Sequence, residues 1–194
     1  MHFQPFELNP SIAKEGLASA PYLKAKYGLS DEQLRSNAAR IAERGAAAGF
    51  VFGPRPHIWG TLDAHRLLMW ADLPGQPAGA QLRLKRALLE AYHRDGRNPS
   101  DPDVLLELAQ GAGLDAARAR ALLQTDELTD EVRALEGEWQ QRGITGVPAA
   151  IVNEQFMISG GQPSDMYVRA LRQIARDIQS PKAVGVAPSN RLGA

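Results

Sequence analysis

A proline-containing loop leads into two short strand patterns, and this arrangement limits the folds open to the chain more than any other feature. The loop runs from Gly143 to Pro148, and residues 149–159 have the apolar composition of strands, with a turn at Asn153-Glu154. A Gly-Gly-Gln-Pro sequence at 160–163 then introduces a helical pattern that extends to about Gln179. The sequence therefore predicts a β-hairpin followed by a helix.

The first residues show the alternation of a short strand. Apolar and polar residues alternate from His2 to Leu8, and Pro5 lacks an N–H group, which favours an edge position. Asn9 and Pro10 end the pattern because the residue before a proline avoids the helical conformation. We therefore expect an N-terminal edge strand over residues 2–8.

A long and mostly helical stretch lies between these strand patterns. Its apolar residues recur with the helical period, and its helix starts carry capping residues, namely Ser30 with Gln33, Thr61, Asp101 with Pro102, and Asp115. The predicted order is a strand, five or six helices, the hairpin and a final helix. Residues 180–194 contain Pro, Gly and Ser, which predicts a disordered tail.

Composition excludes several classes of protein. Lysine plus arginine and aspartate plus glutamate number 22 each, and no basic run suggests a nucleic-acid partner. No apolar stretch approaches the roughly 20 residues that a membrane-spanning helix needs. The N-terminus also lacks the charged and apolar regions of a signal peptide. The sequence therefore predicts a cytoplasmic protein that binds neither nucleic acid nor membrane.

The sequence contains no cysteine. This excludes disulfides, thiolate zinc sites and thiol catalysis by these residues. The histidines have no ligand spacing, so no metal site is predicted. His65, within a helical pattern, is better explained as a buried histidine bonded to a neighbour than as a catalytic base. We assign no catalytic residue.

Several blocks of the sequence occur in the order found in one family. They are Phe6-Glu7-Leu8-Asn9-Pro10, residues 61–67, 88–96, 102–105 and 113–115, the 143–148 loop and the 160–163 turn. Together they resemble the DsbA family of thioredoxin-like proteins, and most closely its cytoplasmic FrnE-like branch near the 2-hydroxychromene-2-carboxylate isomerases. The resemblance implies an α/β thioredoxin-like fold, incomplete at the N-terminus, with a large all-helical insertion. It assigns the thioredoxin-like part to 1–10 and 143–179, and the insertion to 11–142.

The same resemblance implies a protein thiol-disulfide oxidoreductase. In this family a thiolate attacks a disulfide, and a loop ending in a cis-proline aligns the substrate. The residues that the resemblance assigns to substrate binding are Val147, Pro148, Thr145, Gly161, Gln162 and Asn9. The family's Cys-Pro-Trp-Cys type motif has no counterpart here, so we expect a truncated chain that is inactive as written. The expected partner is a protein or peptide substrate, or glutathione, with no other cofactor, and a homodimer stays open.

Two alternative functions remain open. The chain could be a redox-inactive relative that keeps a peptide groove and acts as a chaperone, or a glutathione-dependent isomerase of the 2-hydroxychromene-2-carboxylate type. The 160–163 turn either binds a carboxylate, such as one end of glutathione, or simply connects a strand to a helix. Asn9 either helps to hold a ligand or is a turn residue before Pro10.

Overall fold

The structure is a computed structural model that describes residues 1–179. These residues form two compact units, one spanning Met1–Leu135 and one beginning at Glu136. Residues 1–10 belong to the first unit, and the partition of the chain into a 1–10 plus 143–179 part and an 11–142 insertion stays a prediction. The predicted disordered tail at 180–194 lies outside the described residues.

Seven helices precede the hairpin and one follows it in the described part of the chain. Their bounds are α1 Ser19–Tyr27, α2 Asp31–Ala47, α3 Leu62–Trp70, α4 Ala80–His93, α5 Pro102–Gly111, α6 Ala116–Leu123, α7 Thr129–Gln141 and α8 Ser164–Gln179. Among residues 1–179, no helix combines the length and the hydrophobicity that crossing a bilayer would require.

Local capping explains where three of these helices, α2, α5 and α6, begin. Ser30 and Gln33 form the predicted capping box, in which the Ser30 hydroxyl accepts the Gln33 N–H at 3.2 Å and the Gln33 side chain accepts the Ser30 N–H at 2.8 Å. Asp101 and Asp115 also accept hydrogen bonds from the first turns of α5 and α6. The predicted cap at Thr61 is wrong, because the Thr61 side chain accepts no capping bond.

Two short antiparallel strand pairs complete the secondary structure of the described residues. β1 Leu17–Ala18 pairs with β2 His57–Ile58, and β3 Ala149–Val152 pairs with β4 Phe156–Ser159. The second pair is the predicted hairpin. Three residues separate the paired Val152 and Phe156, and two of them, Asn153 and Glu154, have positive φ, 54° and 56°.

The predicted N-terminal strand over residues 2–8 is wrong, since these residues form no strand. The Phe3 N–H instead donates to the Gln81 side-chain oxygen, and the Gln81 amide donates to the Phe3 carbonyl, both at 2.9 Å. A side-chain amide thus supplies the donor and acceptor that a neighbouring strand would supply, but for one residue only. A ladder cannot extend from a single pairing of this kind.

A second buried side chain anchors the same segment. The Glu7 side chain is 3% exposed and forms an ion pair with Arg133 of α7. Its other oxygen accepts the Thr61 N–H at 3.2 Å, at the start of α3. Glu7 therefore satisfies the N–H of Thr61 itself, whereas a Thr61 side-chain cap would accept an N–H two or three residues further along the chain.

The core of the first unit lies among α3, α4, α5, α6 and the first turns of α7. Its fully buried large side chains are Leu67, Leu84, Leu105, Leu122 and Val132. A buried arginine, Arg66, joins α3 to the end of α6. Its guanidinium donates to the carbonyls of Leu122 and Glu127, both at 2.7 Å, and to the carbonyl of Thr125.

Candidate functional site

The proline loop is held at its start and exposed at its end. α7 is followed by Gly143, whose φ of 84° turns the chain, and the Ile144 N–H donates to the Trp139 carbonyl at 3.0 Å. Ile144 is buried, whereas Val147 is 52% exposed. The Val147-Pro148 peptide bond is cis. The anchored start fixes the loop, and its exposed end faces solvent.

The backbone of Val147 is available to a ligand. Within residues 1–179 neither its N–H nor its carbonyl has a hydrogen-bond partner. The strand β3 begins only at Ala149. An extended peptide could therefore pair with Val147 through the donor and acceptor that strands normally share.

Hydrogen bonds bring the 160–163 turn to the proline. The Gly160 N–H donates to the Pro148 carbonyl at 2.8 Å, and the Gly160 carbonyl accepts the Tyr167 hydroxyl at 2.9 Å. The Gln162 side chain donates to the Ser159 carbonyl at 3.0 Å. Four predicted site residues, Val147, Pro148, Gly161 and Gln162, are thus in adjoining segments, and Thr145 is in the same loop as the first two.

Asn9 is engaged elsewhere. Its side-chain oxygen accepts the Tyr22 hydroxyl at 2.7 Å and also bonds the Lys26 ammonium, so α1 occupies the acceptor. Its backbone carbonyl accepts the Ile12 N–H at 3.1 Å, which is the turn role expected before Pro10. Asn9 belongs to the first unit, and a ligand role for it stays a prediction.

His65 differs from the expected bonded histidine. It is half-buried, and its ring makes no hydrogen bond to any described residue. Desolvation, with smaller contributions from the positive charges of Lys85 and Arg133, lowers the pKa of His65 to about 3. The imidazole is therefore neutral at pH 7. Residues 1–179 also hold no group of three acidic, histidine or cysteine side chains placed to bind a metal.

The sequence reasoning missed a cationic surface on α4. Burial lowers the pKa of the Lys85 ammonium. Desolvation, Arg55 and Lys85 together lower the pKa of His93 to about 4. The Arg55 guanidinium lies 5.5 Å from the centre of the Tyr92 ring and 3.5 Å from His93 Nδ1. The spacing of Lys85, Tyr92 and His93 along α4 was the available signal, but Arg55 reaches them only through tertiary structure.

Comparison with known proteins identifies the family. The sequence matches the DSBA-like thioredoxin domain over residues 1–172. The chain belongs to this family. Its fold is accordingly the thioredoxin-like DsbA fold, with a large helical part and few strands. The predicted family is therefore confirmed.

Individual relatives agree with this assignment. The probable DsbA oxidoreductase SCO1869 from Streptomyces coelicolor superimposes with a TM-score of 0.82 at 34% identity, over 97% of this chain and 82% of that one. A 2-hydroxychromene-2-carboxylate isomerase superimposes with a TM-score of 0.63 over 94% of this chain and 84% of that one, but at 13% identity it shows similarity of fold alone.

A curated relative matches only part of the chain. The uncharacterized protein YwbO from Bacillus subtilis (strain 168) is 31% identical over 85 residues, or 43% of this chain. That match covers 42% of YwbO, which is less than half its length.

Proposed function

We propose that this DsbA-family chain binds an extended protein or peptide substrate of thiol-disulfide exchange at the Val147-Pro148 loop. The observation that carries the proposal is the loop itself, where an exposed residue has an unused N–H and carbonyl next to the first strand of a hairpin. Pairing through these groups would add the substrate as a further extended segment.

The exchange step needs a cysteine thiol, and these 194 residues contain no cysteine. In the step itself, a thiolate forms a bond to one sulfur of a disulfide while the other sulfur leaves as a thiolate. No side chain of this chain can serve as that nucleophile. We therefore assign substrate binding to the chain and expect no oxidoreductase turnover from these residues alone.

Peptide binding is the first test. S-carboxymethylated insulin B chain serves as an extended, disulfide-free probe, and its binding to the purified chain is followed by amide chemical shifts. We expect shifts at Val147 and its neighbours, and weaker binding by Val147→Pro, which removes the N–H. Val51→Pro is the matched control, since Val51 is 71% exposed and its N–H also has no described partner. Equal binding by the two variants would contradict the proposal.

Exchange activity is the second test, and it separates the proposed binding role from a complete enzyme. Insulin reduction by dithiothreitol should proceed at the buffer rate in the presence of the chain, because no thiolate is available from it. A rate above the buffer blank with a preparation free of thioredoxin would overturn this part of the proposal. Glutathione in place of the B chain tests the alternative ligand at the same loop.

A further inference from the structure

Lys85 stands apart from the other lysines of the described chain. Lys14 pairs with Asp63 at 2.7 Å, Lys24 pairs with Asp31 at 2.6 Å, and Lys26 bonds Asn9. Lys85 is half-buried on α4, yet among residues 1–179 no side chain or carbonyl provides it with a hydrogen bond or ion pair. Partial burial destabilises the charged form of an ammonium that has no partner, so this position favours an anion from outside the chain.

The surroundings of Lys85 are positive and partly apolar. Leu82 and Leu89, three and four residues away on α4, are 36% and 42% exposed. The side of α4 that faces the core carries Ala80, Leu84, Leu88 and Ala91. Lys85 and the two leucines therefore lie beside that face, on an accessible strip of the helix.

Groups from three other segments lie near this strip. α3 contributes the neutral His65, and α7 contributes Arg133, which is already paired with Glu7. The segment before β2 contributes Arg55, which contacts Tyr92 and His93 near the end of α4. The charges that act on His65 and His93 are all positive. The acidic residue of α4, Glu90, is paired with Arg94.

We propose that Lys85 anchors an acidic segment of a partner polypeptide, in which one carboxylate pairs with the ammonium and flanking aliphatic side chains cover Leu82 and Leu89. The positive charge of Lys85 favours a carboxylate, and the exposed leucines favour apolar side chains on either side of that carboxylate. From Leu82 to His93 the strip is about 16 Å long, which accommodates about five extended residues. This surface lies within the first unit and is independent of the Val147 loop.

A pair of capped peptides tests the inference. Ala-Leu-Glu-Leu-Ala and its glutamine counterpart are titrated into the full chain at low salt, and binding is followed by amide chemical shifts. The glutamate peptide should bind about tenfold more tightly, as one charge-assisted hydrogen bond predicts. That preference should decrease with added salt.

Two lysine variants localise the effect. Lys85→Met retains the apolar stem and should reduce the preference for glutamate to about onefold. Lys24→Met is the matched control, because it removes a lysine of α1 that is already paired with Asp31, and it should leave the tenfold preference unchanged. Equal binding of the two peptides to the wild-type chain, absence of binding by both, or a preference that survives Lys85→Met would overturn the proposal.

Titration of Lys85 itself provides a measurement on the unmodified protein, should Lys85→Met fail to fold. Burial lowers the pKa of the Lys85 ammonium, and a carboxylate beside it favours the charged form, so the glutamate peptide should raise that pKa. The glutamine peptide should not. An unchanged titration of Lys85, followed by side-chain NMR in the presence of saturating glutamate peptide, would equally refute the inference.

Discussion

Replacing Arg66 by methionine should destabilise the first unit severely. Its side chain is 3% exposed, and the guanidinium bonds the Asp63 carboxylate at 2.8 Å as well as carbonyls at the end of α6 and in the loop that follows. Such carbonyls need donors from outside the helix, since a helix leaves its last acceptors without an i+4 partner. Arg66 therefore connects α3 to the α6–α7 junction.

The magnitude follows from what Arg66→Met leaves behind. Asp63 is 5% exposed and would retain only the Lys14 ammonium. The Glu127 carbonyl would lose its donor, and the Leu122 carbonyl would keep only its bonds from Thr125. Breaking a buried ion pair by removing one partner costs about 3–5 kcal/mol. Domains of this size have unfolding free energies of about 5–15 kcal/mol, so the loss would be a large fraction of the total. The unfolding free energy of Arg66→Lys should lie between those of the wild type and Arg66→Met, because an ammonium keeps the charge but cannot make the forked hydrogen bonds of a guanidinium.

Urea unfolding followed by circular dichroism measures the effect. Arg94→Met is the matched control, since Arg94 pairs with Glu90 and Asp95 with its side chain 47% exposed. An exposed pair of this kind contributes little to stability, because water and salt screen the two charges. A loss of unfolding free energy in Arg66→Met no greater than that in Arg94→Met would refute the argument from burial.

Three further predictions concern other parts of the chain. Gln81→Leu should lower the unfolding free energy by about 1–3 kcal/mol, because it removes both bonds to Phe3. Hydrogen exchange should show that the Phe3 amide loses its protection in the variant. A Phe3 amide that is already unprotected in the wild-type chain would contradict this prediction. The folded chain holds His65 neutral with a pKa of about 3, whereas the unfolded chain protonates this residue below about pH 6.5. The unfolding free energy should therefore be highest above about pH 6.5 and should decrease as the pH falls toward about 3. The slope should be up to about 1.4 kcal/mol per pH unit, and should flatten in His65→Asn when urea midpoints are compared between pH 7 and pH 5. Glu154→Gly should stabilise the hairpin by up to about 1 kcal/mol, since Glu154 has φ 56°, whereas Gln155→Gly should not, and thermal unfolding of the two variants distinguishes them.

Local signals made most of the fold predictable. The box at Ser30 and Gln33, the caps at Asp101 and Asp115, and the turn at Asn153-Glu154 depend on residues within a few positions of one another, and all occur as the sequence predicts. The strands β1 and β2 are two residues long, which is too short for any alternating pattern to reveal.

The errors arose where a distant side chain replaced a local partner. The alternation from His2 to Leu8 predicts a strand, but Phe3 instead bonds the side chain of Gln81, 78 residues away. Thr61 precedes α3 as predicted, but its side chain caps no N–H, and its own N–H donates to Glu7. The loop residues of the candidate site were predictable because they are contiguous, whereas the surface around Lys85 depends on Arg55, which the sequence does not place beside α4.

The bond between Tyr167 and Gly160 makes α8 a built-in spectroscopic reporter for the loop. The tyrosine hydroxyl donates to the Gly160 carbonyl, and the N–H of the same glycine donates to Pro148. A fluorine label on the Tyr167 ring would therefore sense a change at the proline through two hydrogen bonds, without touching the exposed end of the loop. Binding of a ligand at Val147 could then be followed by a single fluorine resonance in crude mixtures, where amide spectra are too crowded to assign.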